Sequence, residues 1–468
     1  MTAPQHRTAD ALIDHITDRT SGIPDAAADL AWRAVVDTVG VALAAASEPC
    51  VTITHGAVPA IDRGPSTVLV SGRRTDPVRA AWLNGTAAHA LDYDDVDDWV
   101  IGHPSTVLVP AVLAVGELAD AGGEQVIDAY WVGLTTMRAL AVGLNVSGHY
   151  AKGWHATATL GVLGAAAATA RLLGLDADDT RNALGIAVSH ASGSRQNFGT
   201  MVKPLHAGTG ASSGVLSGTL ARDGLTADPD ALDGRYGFLA LYRGERREGD
   251  AAAQQAADQV RQVLSAPPPP VLNVKRHPCC YATHAAADAV LDLRTNGLTA
   301  ADIAEILVSV PSGSLGPLID HPPRSGLDGK FSLEYVVAAA LLDGALPLSS
   351  FTDTAVARQD VARLARRVRS DDSLQTDPVE GAGMEFRARV TVLTQDGRTL
   401  THRCDAPVGH ADRPLTDDQL REKFDDCVRF GGRVSSGALF DALSMLQTAA
   451  QVADALRPLA HLGREVAR

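Results

Sequence analysis

Between Asn84 and Pro110 the chain reads NGTAAHALDYDDVDDWVIGHPSTVLVP, with Asp92, Asp94, Asp95, Asp97 and Asp98 inside seven positions and His103 close behind. Carboxylates this dense repel one another. A solvated loop tolerates the repulsion, but a loop pinned between two apolar, helix-like runs does not. Buried carboxylates beside an imidazole serve proton transfer, because burial and neighbouring charge push their pKa values apart. The bland alternative is a solvated acidic helix end, which the helix dipole opposes at a C-terminus. Two metal readings are weaker. An EF-hand starting at Asp92 would place Asp97 where glycine is needed and His103 where glutamate is needed. The DDxxD pattern of prenyl and terpene synthases fits Asp94 to Asp98, but a second acidic motif is missing and aromatics are only 4% of the chain. No metal is expected.

Three further groups carry chemistry. His155, in Lys152-Gly153-Trp154-His155, precedes a helix-like run from Thr157. A helix N-terminus keeps such an imidazole neutral and able to act as acid or base, and a core histidine is the alternative. The stretch GSRQNFGTMVKPLHAGTG (Gly193 to Gly210) carries Arg195, Gln196, Asn197, Lys203 and His206. Pro204 at a helix start sets Lys203 beside free backbone N–H groups, a corner suited to a carboxylate or phosphate. Without a GK[ST] it is no nucleotide loop. Finally, KRHPCCYATH (Lys275 to His284) gathers Lys275, Arg276, His277 and His284 beside Cys279 and Cys280. That set suits anion binding or proton transfer. A nucleophilic Cys280 thiol is the lesser reading, since cysteine is more often inert and buried.

The elements positioning these groups are mostly helices. Apolar periodicity predicts helices at Ala9 to Thr17, Ala26 to Ala46, Thr106 to Ala121, Val126 to Leu144, Thr157 to Leu173, Asp178 to Ser192 and Ala211 to Asp223. Asp76-Pro77 reads as the N-cap and first residue of another helix, through Leu91. Pro267 to Pro270 is a stiff break. Beyond it, Glu305 to Val310 is strand-like, and Met384 to Leu393, Asp396-Gly397 and Arg398 to Cys404 form a hairpin pattern. Helices at Thr283 to Leu293, Ser332 to Leu342 and Asp353 to Val368 alternate with these strands. After Pro414 the chain returns to helix. The expected fold is mainly α: a large all-helical domain formed by both chain ends (1–268 and 409–468), with an inserted smaller α+β lid domain (269–408).

Composition bounds the rest. The 468 residues carry a formal net charge of −14, which argues against nucleic acid or an anionic membrane as partner. Five cysteines without CxxC spacing suggest a reducing compartment and neither a zinc ribbon nor an iron–sulfur cluster. The N-terminus has no apolar signal core, and no uncharged apolar run reaches membrane-spanning length. The expectation is a cytoplasmic protein.

Eight segments in order, NGTAAHALDYDD, HPSTVLVP, GWHATATLG, FGTMVKPLHAG, LDGRYGF, KRHPCCYATH, KFSLEYVVAAAL and DRPLTDDQLREKF, resemble the MmgE/PrpD family over nearly the whole chain. That family includes 2-methylcitrate dehydratase, cis-aconitate decarboxylase and iminodisuccinate epimerase. The resemblance implies a small di- or tricarboxylate substrate, a homodimer and no metal or organic cofactor. By motif it points to Asp92, His103, His155, Lys203 and Lys275, and Asp92 would be the inward partner of His103 while the other aspartates remain mostly loop. Asp92, His103, His155 and Lys203 are the expected catalytic set. Lys275, Arg195, His277 and Cys280 are the expected substrate contacts. Val96 stands where the decarboxylase branch has threonine, Cys280 where it has histidine, and the Asp92 to His103 stretch is one residue longer. The first expectation is therefore a hydro-lyase of 2-methylcitrate type, working through an aci-carboxylate stabilised by buried cations. A carboxylate isomerase or epimerase, a cis-aconitate-type decarboxylase and a non-catalytic carboxylate-binding relative are the alternatives.

Overall fold

A computed structural model describes residues 7–58, 63–243, 250–375, 387–433 and 435–462. They are mainly helical, and the chain divides into two compact units, Met1–Leu272 with Cys427–Arg468, and Asn273–Asp426.

The first unit is built of helices, including Thr8–Thr17, Asp25–Ala44, Pro77–His89, Ser105–Leu118, Gly123–Leu144, Gly161–Leu173, Ala177–His190 and Val202–Arg222. Asp76 caps Pro77–His89 by accepting from the Arg79 N–H at 2.9 Å, with Pro77 at the first position. The inner helices are rich in Ala, Gly and Val. Ala80, Ala81, Val107, Ala111, Ala165, Ala207, Ala211 and Val215 form one buried cluster. Small residues bury little area each, so stability depends on close main-chain approach and dense packing. Such an approach joins Pro77–His89 and Val202–Arg222. A Cβ on Gly208 would lie 2.4 Å from the Trp82 carbonyl oxygen and 2.2 Å from Thr86 Oγ1. A Cβ on Gly85 would lie 2.9 Å from the Gly208 Cα. The helix expected from Ala211, with a start also signalled at Pro204, begins at Val202, so Gly208 and Gly210 lie inside it. The C-terminal segment joins this unit: the Trp32 indole donates to the Leu443 carbonyl at 3.0 Å, and the Gly123 N–H to that of Ala449 at 3.0 Å. Two stretches, Asp25–Ser47 and Ala156–Leu173, are long and apolar enough to cross a membrane, and both are mostly buried within the protein, as core helices are.

The second unit holds a four-stranded sheet. Ile303–Ser309 pairs parallel with Val368–Asp371 (Ile306 opposite Val368) and antiparallel with Ala388–Thr394 (Val308 opposite Val390), which pairs in turn with Thr399–Cys404. Gly397 takes φ 84° in the expected Asp396-Gly397 turn. Met384, where the hairpin was expected to begin, lies outside the described residues. Helices His284–Thr295 and Leu333–Asp343 contribute to one buried core with the sheet's apolar residues. The expected helix from Asp353 to Val368 is instead two short helices, Asp353–Val356 and Gln359–Ala365, separated by Arg358 in extended conformation. Val368 begins a strand because its backbone pairs with Ile303–Ser309, from which the Ile306 N–H donates to the Arg367 carbonyl at 2.8 Å. Residues 409–426 group with this unit. The Val274 N–H donates to the Gly409 carbonyl at 2.8 Å, and the Val408 N–H to Asp288 Oδ2 at 2.6 Å. All five cysteines are buried free thiols.

Candidate active site

The helix Pro77–His89 ends immediately before the acidic loop, so His89, Asp92 and Asp94 leave its last turn together. Asp92 turns the chain with φ 53°, a left-handed conformation that aspartate tolerates better than most residues. Its Oδ1 accepts from Lys203 Nζ at 2.6 Å. Lys203 stands in the first turn of Val202–Arg222. The glycine-mediated crossing of these two helices brings the pair within reach.

Asp94 is fully buried and takes both neighbouring imidazoles. Its Oδ1 lies 3.0 Å from His89 Nδ1 and its Oδ2 2.7 Å from His103 Nδ1. Burial alone would raise this carboxyl, but His89 and His103 outweigh it and hold it well below the usual range. Asp94, not Asp92, is therefore the acid beside His103; Asp94, Asp95 and Asp97 lie in loop as expected, but the loop is buried. The reason is that each buried carboxylate has its own donors. His103 Nδ1 also faces the Asp95 carbonyl at 2.9 Å. With two acceptors before it, Nδ1 carries the ring proton, which leaves Nε2 with a lone pair in the neutral imidazole. His89 is pressed down to about 4 by burial, with Lys203 and His103 adding to that and Asp94 opposing it. It is neutral at pH 7 and donates Nδ1–H to Asp94, while its Nε2 is buried without a hydrogen-bond partner.

The remaining acids fix the loop. The Ser105 hydroxyl bonds to Asp95 and lies 2.6 Å from Tyr130 Oη. Burial pushes the Asp95 carboxyl up to about 8, against the Ser105 hydrogen bond and with help from Asp37 and Asp94. Asp97 accepts from Arg138 Nε at 2.8 Å and from the Val100 N–H at 2.9 Å. Arg138, itself fully buried, also donates to the Val271 carbonyl at 2.6 Å. Asp98 is half-buried. Ile101 is held at φ 50°, an outlier for a β-branched residue that costs on the order of 1–3 kcal/mol. The loop is thus tied down on both sides of His103, whose own N–H donates to Thr157 Oγ1 at 3.0 Å.

His155 is reached through two paired loops. Its N–H donates to the Gly193 carbonyl at 2.9 Å, and the Arg195 N–H donates to the Gly153 carbonyl at 2.8 Å. It stands as the N-cap of the short helix Ala156–Thr159. It is buried, and burial, then the nearby His89, Lys203, His103 and His206, holds it well below the usual histidine value. The rings of His89 and His103 lie 4.5 Å apart and those of His89 and His155 6.0 Å apart. Phe198 meets the His155 ring edge-on at 4.9 Å and has Lys203 Nζ 5.5 Å from its centre. Arg195 is committed to Tyr150, with its guanidinium 3.5 Å over that ring and Nη1 donating to the Tyr150 carbonyl at 2.7 Å. The first unit therefore gathers Asp92, His103, His155 and Lys203, and adds His89 and Asp94.

Lys275, His277 and Cys280 belong to the second unit and form a group of their own there. Lys275 is fully buried. His277 Nε2 lies 2.9 Å from Asp288 Oδ1. Burial would raise Asp288, but the His277 hydrogen bond and charge hold it down. The Cys280 N–H donates to the Lys330 carbonyl at 2.8 Å. Burial pushes the Cys279 thiol up to about 12, which leaves it inert at neutral pH.

His89, Asp92, Asp94 and His103 each present a ligand atom within 4.8 Å of the others, the spacing of a metal cluster. Of the atoms available, Asp92 Oδ1 already accepts from Lys203 Nζ and Asp94 Oδ1 lies 3.0 Å from His89 Nδ1. A cation on Asp92 Oδ1 would have to displace Lys203. The arrangement suits proton transfer: a carboxylate-backed imidazole, a second neutral imidazole and an ammonium group at one place.

Comparison with known proteins agrees in outline. Residues 15–248 match the MmgE/PrpD N-terminal domain and residues 277–436 the MmgE/PrpD C-terminal domain. The cis-aconitate decarboxylase of Homo sapiens is 31% identical over 375 residues, covering 75% of this chain and 72% of that protein. The cis-aconitate decarboxylase of Aspergillus terreus is 29% identical over 380 residues, covering 77% and 76%. The cis-aconitate decarboxylase-like protein oryM of Aspergillus oryzae is 28% identical over 448 residues, covering 90% of each.

Proposed function

The chain belongs to the MmgE/PrpD family, and from that premise we propose that it is a lyase acting on a small di- or tricarboxylate without an organic cofactor or metal. The observation that carries this reading is Asp94 Oδ2 lying 2.7 Å from His103 Nδ1, beside a neutral His155 and the Lys203–Asp92 pair. The sequence put dehydration first. The similarity to cis-aconitate decarboxylases supports decarboxylation of a cis-aconitate-like acid ahead of it.

In that reaction the bond to the departing carboxylate breaks as CO₂ leaves. Its electron pair spreads into the alkene and the carboxylate conjugated with it, and one imidazole N–H protonates the carbon that accumulates charge. Lys203 balances the enolate-like charge. His103, whose Nδ1 faces Asp94 and the Asp95 carbonyl, takes up a solvent proton on Nε2 and delivers it to the carbon. A second reading, dehydration of a 2-methylcitrate-type acid, keeps its support from Val96 and Cys280, which replace the threonine and histidine of the decarboxylase branch. There one imidazole takes the α-proton and the other protonates the leaving hydroxyl. Either reading expects a lower kcat/KM on Lys275→Ala. The proposed working form is a cytoplasmic homodimer.

The test is a panel of cis-aconitate, citrate and 2-methylcitrate incubated with the protein in D₂O and followed by ¹H NMR and CO₂ release. Stoichiometric CO₂ supports the decarboxylase. A new alkene proton without CO₂ supports the dehydratase. Exchange of an α-proton without net change marks an isomerase, and neither turnover nor exchange overturns the enzymatic reading.

A further inference from the structure

His206 has no part in the scheme above, yet its Nδ1 lies 3.0 Å from Nδ1 of His155. A neutral imidazole carries one ring N–H, so in this contact one ring donates and the other accepts. The two histidines must then be opposite tautomers. We infer that His206 is a positioning residue which sets the tautomer of His155 and relays its proton to solvent during the lyase reaction, an inference resting on the function proposed above.

The proton count closes. With Nδ1–H on His155, its Nε2 is a bare base, and His206 carries Nε2–H. When His155 Nε2 takes a proton from a carbon acid, the C–H bond breaks and an N–H bond forms. The Nδ1 proton of His155 then passes to Nδ1 of His206, and the Nε2 proton of His206 leaves to water or buffer. Both rings end neutral, with His155 now presenting Nε2–H as an acid. The reverse sequence reloads it as a base. No imidazolium has to persist in the buried site, where His89, His103 and Lys203 surround His155, and Lys203 also faces His206. Both rings sit below the ordinary histidine range, chiefly through burial. His155 is 1% exposed whereas His206 is half-buried, so His206 is the solvent end.

Gly193, whose carbonyl accepts from the His155 N–H, takes φ 133°, and a Cβ there would lie 2.9 Å from the Ala158 Cβ. Lys203 and His206 stand three residues apart on one helix face, so the cation and the relay share a rigid support. His103 differs in kind. Its Nδ1 faces the Asp95 carbonyl at 2.9 Å and Asp94 Oδ2 at 2.7 Å, neither of which can hand on a tautomer, so His103 is fixed and His155 is switchable.

The test uses the full chain labelled with ¹⁵N-histidine. Two-bond ¹⁵N–¹H spectra, assigned with His155→Gln and His206→Gln, should show the two rings as opposite or exchange-averaged tautomers. Both rings in the Nε2–H form would overturn the inference, whatever acid the protein turns over. In kinetics, His206→Ala should lower kcat about 10–100-fold with little change in KM, the loss expected for an impaired proton transfer. It should also move the acid limb of the kcat–pH profile, and added imidazole should restore part of kcat. His206→Gln, which can hydrogen-bond but not relay, should keep the fold and still lose kcat. A normal kcat and pH profile in both variants, with His155→Ala inactive, would overturn it. If no acid on the panel is turned over, the functional reading fails and the spectra still decide the tautomer claim.

Discussion

Asp94 Oδ2 lies 2.7 Å from His103 Nδ1, and both residues belong to a single tied-down loop. With the Asp95 carbonyl at 2.9 Å, the carboxylate keeps the proton on Nδ1 and turns Nε2 toward the chemistry, the orienting role seen in acid–histidine pairs elsewhere. Asp94→Asn keeps the shape and removes the charge. It should lower kcat/KM at least about 100-fold with an unchanged circular dichroism spectrum. The half-buried Asp98→Asn should stay within about two-fold, as for a surface change away from the chemistry. Equal kinetics in the two variants would remove Asp94 from the mechanism.

Lys203 and His155 supply charge and a second proton path at the same place. Lys203→Ala and His155→Ala are each expected to cost at least about 100-fold in kcat/KM, the scale of a lost electrostatic or proton-transfer group. Because Lys203 balances charge that grows in the transition state, its loss should appear in kcat as well as KM. A pure KM effect would assign it to uniform substrate binding instead.

The stability of the protein should carry two opposite pH signatures. Asp95 is pushed up to about 8 in the fold from an ordinary value of 3.8. The folded state then binds the extra proton, so this contribution is full below about pH 4 and is lost as pH rises toward 8. His89 is depressed from 6.5 to about 4, so its contribution is present above 6.5 and lost as pH falls toward 4. Urea midpoints of Asp95→Asn should therefore fall less than those of the parent between pH 6 and 8. His89→Gln should flatten the decline on the acid side. Parallel curves for parent and variants would refute both assignments.

Gly208 lets two helices meet main chain to main chain. In Gly208→Ala the new Cβ would stand 2.4 Å from the Trp82 carbonyl oxygen, so the helices must part. The expected loss is about 1–3 kcal/mol of stability, as for overpacked cores, together with reduced kcat, since Asp92 follows the end of one helix and Lys203 stands in the first turn of the other. Gly224→Ala, at a helix end with open space around it, takes φ 94° and reports backbone strain alone. A larger kcat loss in Gly208→Ala than in Gly224→Ala is the result that checks the argument.

Much of this was legible beforehand. Asp76-Pro77 and Asp396-Gly397 signal their cap and turn through local chemistry, and the ordered motifs point to the family. Long-range choices were harder. Which aspartate faces His103 depends on a left-handed turn at Asp92, and no local pattern announces it. His89 ends an apolar helix and reads as core, although its spacing of five residues from Asp94 was a usable signal. Pro204 signals a helix start, yet Gly208 and Gly210 weaken the helical pattern up to Ala211 because they admit a partner helix far away in sequence. Val368–Asp371 looks like the end of a helix until Ile303–Ser309 offers it a parallel partner.

The five buried thiols give the protein a quiet background for labelling. Burial pushes Cys50 up to about 11 and Cys404 up to about 12, so maleimide reagents at pH 7 should react with the native chain only slowly. Met201 is 54% exposed and lies two residues before Lys203. A single fluorophore on Met201→Cys would report from beside the candidate site without first removing any native cysteine, and its emission could follow acid binding in real time even for a ligand that is never turned over.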